Sequence, residues 1–138
     1  MGPVAKEVRV TEIELQRRIQ VAVSPYVAIF RIPSGMYYPG KFDTLPDGRP
    51  HLTGLRPTKV AVEGYPDLSG YRRSDGKAVF IEVKTPTGRP SEKQLHFIEQ
   101  AKQAGCIAGI ARSVEEALEL VRYEGNHKRR FPRRNRRF

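Results

Sequence analysis

The chain has 138 residues, 38% of them hydrophobic and 29% charged, and a formal net charge of +10 at pH 7. That length suits one domain with a proper core; no apolar run approaches the roughly 18 residues of a membrane span, and no apolar signal sequence opens the chain. The lone cysteine, Cys106, excludes an intramolecular disulfide and reads as a small core residue, while the scattered His51, His96 and His127 have no second cysteine for a structural zinc site.

The charge is unevenly placed. Residues 128–138, KRRFPRRNRRF, hold seven Lys or Arg and no acid, which leaves +3 for residues 1–127. With almost nothing to bury, this tail is expected to be disordered when free and drawn to polyanions. Nucleic acid is the first partner to expect, through Lys128, Arg129, Arg130, Arg133, Arg134, Arg136 and Arg137, with Phe131 and Phe138 available for stacking on bases. A solubilising extension or a membrane-surface tail is the plainer alternative.

Residues 1–10 read as a leader or a first short strand. Thr11 and Glu14 then have capping-box spacing, which predicts a helix start, and Leu15, Ile19, Ala22 and Val23 form an apolar stripe at helical period. At about 100° per residue, Glu12 projects into that stripe with Gln16 beside it, whereas Glu14 falls outside. Glu14 therefore reads as a cap. Glu12 reads as an acid aimed at whatever the helix packs against, where it needs a metal, a lysine or a water.

Residues 26–32, YVAIFRI, predict a strand. Residues 33–57 carry nine Gly or Pro and no sustained period, so they predict a long surface excursion. Within it Pro46-Asp47-Gly48 is a turn that could fold a small hairpin between Phe42 and Leu52. Tyr37, Tyr38, Lys41 and Arg49 suit either contact with a nucleic-acid backbone or plain solvation.

A strand over residues 68–71 follows Gly64-Tyr65-Pro66-Asp67, and Ser74-Asp75-Gly76-Lys77 turns the chain antiparallel into residues 78–84. Here Val79, Phe80, Ile81 and Val83 form a strand into which Glu82 and Lys84 are inserted. Two apart on a strand, they share a face. A charge placed in so apolar a run costs several kcal/mol unless compensated. The hairpin lays Asp67 beside Glu82, so two acids and a lysine could make a divalent-metal and phosphodiester site. The plain reading is a same-face ion pair and a Pro-Asp turn.

Ser91 and Gln94 again have capping-box spacing, opening a helix that stops at Gly105. Gln94 thus has a structural job available as well as a place near the acids. Residues 107–111 predict a short buried strand, and Ser113 with Glu116 caps a last helix with Val114, Ala117, Leu118 and Val121 as its stripe and Gly125 as its stop. The order predicts a three-layer α/β fold with a mixed β-sheet flanked by helices.

Helix with acid, Pro-Asp, Glu-x-Lys and helix with Gln, in that order, resemble the PD-(D/E)XK nuclease superfamily. More narrowly, the chain resembles a VRR-NUC domain, and a small standalone one of the bacteriophage kind. The likeness runs over residues 11–122, on Thr11-Glu12 with Leu15-Gln16, Phe30-Arg31 with Ser34-Gly35, Gly64-Tyr65-Pro66-Asp67, Ile81-Glu82-Val83-Lys84-Thr85, Thr87-Gly88-Arg89 with Ser91 and Gln94, and Gly105 to Ser113. It implies a nuclease domain (11–124) of restriction-endonuclease-like fold, preceded by the leader (1–10); the chain departs from the family pattern in an insertion at 36–58 and in the basic tail (125–138).

The resemblance further implies hydrolysis of DNA with Mg²⁺ or Mn²⁺, the metal held by Asp67, Glu82 and the Val83 carbonyl, and catalytic roles for Glu12, Asp67, Glu82, Lys84 and Gln94. DNA contacts are expected from Arg31, Lys41, Arg89 and the tail. The phage relatives suggest branched substrates such as four-way (Holliday) junctions, cut by a homodimer in the cytoplasm (the host's, if the protein is viral), without a small-molecule cofactor or a membrane. A non-catalytic nucleic-acid-binding or packaging protein acting through its tail is the competing expectation.

Overall fold

The structure, a computed structural model, describes residues 9–33 and 35–122. The chain runs α1 (Glu12–Val23), β1 (Val27–Arg31), β2 (Met36–Tyr37), β3 (Lys41–Thr44), β4 (Pro50–Thr53), β5 (Thr58–Lys59), β6 (Leu68–Arg72), β7 (Ala78–Val83), α2 (Glu92–Gln103), β8 (Ile107–Ala111) and α3 (Val114–Val121). The main sheet has the order β1-β6-β7-β8. Its first three strands are antiparallel, while β8 lies parallel to β7 after the crossover through α2. The sheet is mixed, as expected.

Alternation along β7 divides the two faces. Val79, Ile81 and Val83 point into the larger core, with Leu15, Ile19 and Val23 of α1, Val27, Ile29, Leu68 and Ala111 of the sheet, and Ala117 and Val121 of α3. Phe80 points the other way, to a smaller cluster with Ile98 and Ala101 of α2 and Ala108 of β8, beside which Cys106 is partly buried. Helices α1 and α3 cover one face and α2 the other, giving three layers. All three helices begin on the caps read from the sequence: Thr11 with Glu14, Ser91 with Gln94, and Ser113 with the Glu116 amide. Among the described residues no helix is long and apolar enough to cross a membrane.

The excursion between β1 and β6 is an arm of two short ladders. Strands β3 and β4 form the expected hairpin, with Phe42 opposite Leu52. Strands β2 and β5 pair nearer the sheet, Met36 opposite Lys59, and no sequence signal gave them. Every residue in these four strands is exposed. Register puts Phe42, Leu52, Thr44 and Pro50 on one side and Lys41, Thr53, Asp43 and His51 on the other. The ribbon is amphipathic, yet its apolar side is uncovered: Phe42 is 67% and Leu52 51% exposed.

Two features brace the main sheet. Arg72, at the end of β6, is buried; it pairs with Asp75 at 2.6 Å and donates to the carbonyls of Val121 and Arg122, tying the β6–β7 turn to the end of α3. Gly70 lies where β1 crosses close to β6, and a Cβ there would drive into the Ala28 carbonyl oxygen. The neighbour is backbone and cannot rotate away, so Gly70→Ala is expected to destabilise the fold by about 3 kcal/mol or more. Chemical denaturation checks this; a variant within experimental error of the parent would contradict the β1–β6 register.

Candidate active site

Four of the residues singled out in the sequence meet at one end of β7. Asp67, immediately before β6, accepts a hydrogen bond at Oδ2 from the Val83 amide at 3.0 Å. In return the Asp67 amide donates to Glu82 Oε2 at 3.3 Å. Register explains this crossed pairing. The β6–β7 ladder runs from Tyr71↔Ala78 to Leu68↔Ile81, so the next residues out, Asp67 and Glu82, are brought level without a backbone rung. Their carboxyls use the backbone groups that are left over.

Glu82 is only 1% exposed and lies on the α2 face of the sheet. Two side chains converge on its Oε1: the Gln94 amide donates from Nε2 at 2.8 Å, and Lys84 Nζ stands at 3.5 Å. Gln94 also accepts from the Ser91 amide at 2.8 Å through Oε1. The two jobs that compete for Gln94 in the sequence are therefore done at once, one by each end of the amide. Beneath Glu82, the rings of Tyr65, Phe80 and Phe97 pack edge to face with centroids 5.2–6.1 Å apart. Tyr65 holds Ser69 Oγ through its hydroxyl at 3.0 Å.

The loop that carries Asp67 is pressed against the first turn of α2. Gly64 has φ +85°, and a Cβ there would come within 2.5 Å of the Lys93 carbonyl oxygen. Glycine permits both the left-handed backbone and the close approach. The exposed Glu63–Lys93 ion pair lies at the same junction.

Burial pushes the Glu82 carboxyl up to about 8, and the nearby Asp67 charge and a hydrogen bond shared with Asp67 add to the rise. Lys84 and the Asp67 amide pull the other way without offsetting it. Two carboxyls this close, one buried and one half-buried, are short of positive charge. Among the described residues no three of His, Cys, Asp or Glu gather into a cage. A hydrated Mg²⁺ does not need one, since one or two carboxylates and retained waters suffice. The donor set fits such an ion, because two carboxyls lie side by side and the pair opens to solvent on the Asp67 side.

Glu12 is half-buried at the start of α1, and its side chain makes no hydrogen bond or ion pair among the described residues. Glu14 is exposed and completes the capping box with Thr11, so the two acids separate as the helical period indicates. One turn beyond Glu12, Gln16 is buried and its Oε1 has no hydrogen-bond partner among the described residues. Arg31 is exposed at the end of β1, opposite Leu68; its neighbour Ile32 donates to the Asp67 carbonyl at 3.1 Å, and no ion pair or side-chain hydrogen bond joins Arg31 to the acids among the described residues. Arg89 is exposed between β7 and α2, and Lys41 is exposed on the arm, in the ladder beyond β2 and β5. Lys128, Arg129, Arg130, Arg133, Arg134, Arg136 and Arg137 lie outside the described residues, as do residues 1–8 and Gly125.

Sequence reasoning missed Arg112. Its Nη1 donates to the carbonyls of Thr85 at 2.7 Å, Gly88 at 2.6 Å and, more weakly, Pro86 at 3.4 Å. The signal available was its place: it follows β8 directly, level with Lys84 across the parallel pair.

An acidic pair backed by a lysine and an amide, at one end of a mixed sheet between helical layers, defines an α/β domain whose polar cluster is concentrated at the strand ends. The VRR-NUC domain matches residues 41–115, more than half of the chain, and the protein belongs to that family of nuclease domains. The match takes in Asp67, Glu82, Lys84 and Gln94 together with the outer part of the arm, and leaves α1 and β1 outside it. No curated protein matches the chain.

The raised Glu82 group makes the metal-free protein sensitive to pH. A folded-state value near 8 against 4.5 unfolded means that the folded chain holds the extra proton between the two. Stability therefore falls as pH rises through that window, by at most about 1.4 kcal/mol per pH unit. Thermal unfolding in the presence of a chelator should show this decline, and Glu82→Gln should remove it. An identical slope in the variant would show that Glu82 does not carry the proton.

Proposed function

We propose that this protein is a metal-dependent endonuclease that hydrolyses phosphodiester bonds of DNA, with branched DNA such as Holliday junctions as its substrate. The single observation that carries the reading is the contact set around Glu82, in which Asp67, Lys84 and Gln94 meet one buried carboxyl inside a VRR-NUC domain. A module that merely binds DNA has no use for a carboxylate pair held short of positive charge, because acids repel the phosphate backbone.

Asp67, Glu82 and the Val83 carbonyl would hold Mg²⁺ or Mn²⁺. When bound, such an ion lowers the pKa of a coordinated water and neutralises charge on the scissile phosphate. The remaining work falls to the side chains. Lys84 places a positive charge where it can orient the attacking water or meet the phosphoryl oxygens. Gln94 keeps the Glu82 carboxylate turned toward the site. Glu12, with no partner of its own among the described residues, is suited to holding a water from the α1 side.

Arg31 and Arg89, exposed on β1 and on the β7–α2 connection, would flank the cut strand, and Lys41 would reach DNA from the arm. A homodimer suits a four-way junction, since a two-fold symmetric substrate with two symmetric cuts calls for two equivalent sites.

Asp67→Ala and Lys84→Ala should each abolish cleavage of a labelled junction in Mg²⁺ while leaving junction binding intact, as should addition of a chelator to the parent protein. Full cleavage by either variant would contradict the assignment. Parent protein that binds a junction, a flap and a plain duplex but cuts none of them, in Mg²⁺ or Mn²⁺, would leave a nucleic-acid-binding module.

A further inference from the structure

The connection from β7 to α2 joins the two halves of the site. Glu82 and Lys84 lie on or just after the strand, and Gln94 lies in the first turn of the helix. Any movement of the connection changes how Gln94 and Lys84 stand relative to Glu82. Its first part is nevertheless a short irregular turn without strand pairing. Lys84 is fixed by its amide, which donates to the Ala111 carbonyl at 3.1 Å, and Gly88 closes the turn on the Thr85 carbonyl at 3.0 Å. Beyond that, among the described residues, the hydrogen bonds holding the 85–88 turn come from Arg112 alone.

We propose that Arg112 is a positioning residue for the nuclease reaction, its guanidinium clamping the 85–88 turn so that Lys84 and Gln94 keep their places around Glu82. Three carbonyl oxygens facing one cationic nitrogen make a strong, charge-assisted clamp. The arginine is itself held at its root, where its amide donates to Glu116 Oε2 at 2.7 Å. Because Glu116 also gives its amide to Ser113 Oγ at 3.1 Å, the clamp is tied to the start of α3. Arg112 makes no hydrogen bond or ion pair with Asp67 or Glu82 and would act through the turn. The same clamp sets the direction of the exposed Arg89, one residue past the last carbonyl it holds.

The proposal rests on the nuclease reading for its kinetic arm, and a second arm is independent of activity. In the first, Arg112→Ala, Arg112→Lys and Arg112→Gln are assayed on the labelled junction in Mg²⁺, at a temperature where each is folded. Arg112→Ala should lower kcat about 10–100-fold, the usual effect of losing a group that orients an active site, with KM and junction affinity unchanged. Arg112→Lys should recover most of the loss, since one nitrogen meets all three carbonyls. Arg112→Gln, which keeps a donor, carries the test if the alanine variant does not fold.

In the second arm, acetylation of Lys84 is followed by mass spectrometry without metal or DNA, with the exposed Lys102 as internal reference. Loss of the clamp should speed labelling of Lys84 alone. Unchanged kcat with unchanged Lys84 labelling would overturn the proposal, and so would a loss confined to KM, which would make Arg112 a DNA contact. If the parent cuts no substrate yet Lys84 labelling still rises in the variant, the positioning role stands and the nuclease reading falls.

Discussion

The structure depends on one expensive placement, a carboxyl group buried near the end of a sheet strand. Glu82 sits between Ile81 and Val83, both wholly buried, and is itself almost as inaccessible. Water cannot solvate it. The surrounding fold supplies the Asp67 amide, the Gln94 amide and the Lys84 ammonium in water's place. These still leave the carboxyl pushed up to about 8, first because it is buried and then because Asp67 brings a second acid to the same place. A fold selected for stability alone would put an apolar residue there. Strain of this kind concentrates where a protein does chemistry.

The rest of the domain can be followed outward from that point. Gly64 lets the Asp67 loop press against α2, which brings Gln94 within reach of Glu82. The β6–β7 hairpin stops its ladder one step short of Asp67 and Glu82, freeing the backbone groups that cross-link them. The parallel neighbour β8 brings Arg112 level with Lys84. Helix α1 and helix α3 complete the far side of the sheet, and α1 presents Glu12 and Gln16, whose buried Oε1 has no partner among the described residues, near its N-terminus.

Much of this could be read in the sequence because it is local. Capping boxes depend on residues three apart, and all three helix starts were legible from Thr11, Ser91 and Ser113. The Glu82–Lys84 face follows from strand alternation, and the approach of Asp67 follows from the Ser74-Asp75-Gly76-Lys77 turn that sets the hairpin. What stayed hidden depends on contacts distant in sequence. Arg112 clamps a turn 24–27 residues away, and Arg72 reaches the end of α3 some 49–50 residues on. Strands β2 and β5 have two residues each and lie 21 apart in the chain at their near ends, too short to carry any pattern. The dual role of Gln94 was half legible: spacing shows the cap, but not that the other end of the amide is free for Glu82.

The central claim is that Asp67 and Glu82 form a pair completed by a divalent cation. Calorimetric titration of Mn²⁺ into chelator-treated protein at neutral pH, repeated in buffers of different ionisation enthalpy, tests it directly. The account predicts binding accompanied by release of a proton from Glu82, with both the binding and the release lost or sharply weakened in Asp67→Ala and Glu82→Gln. Absence of binding, or binding that is unaltered in both variants, would contradict it.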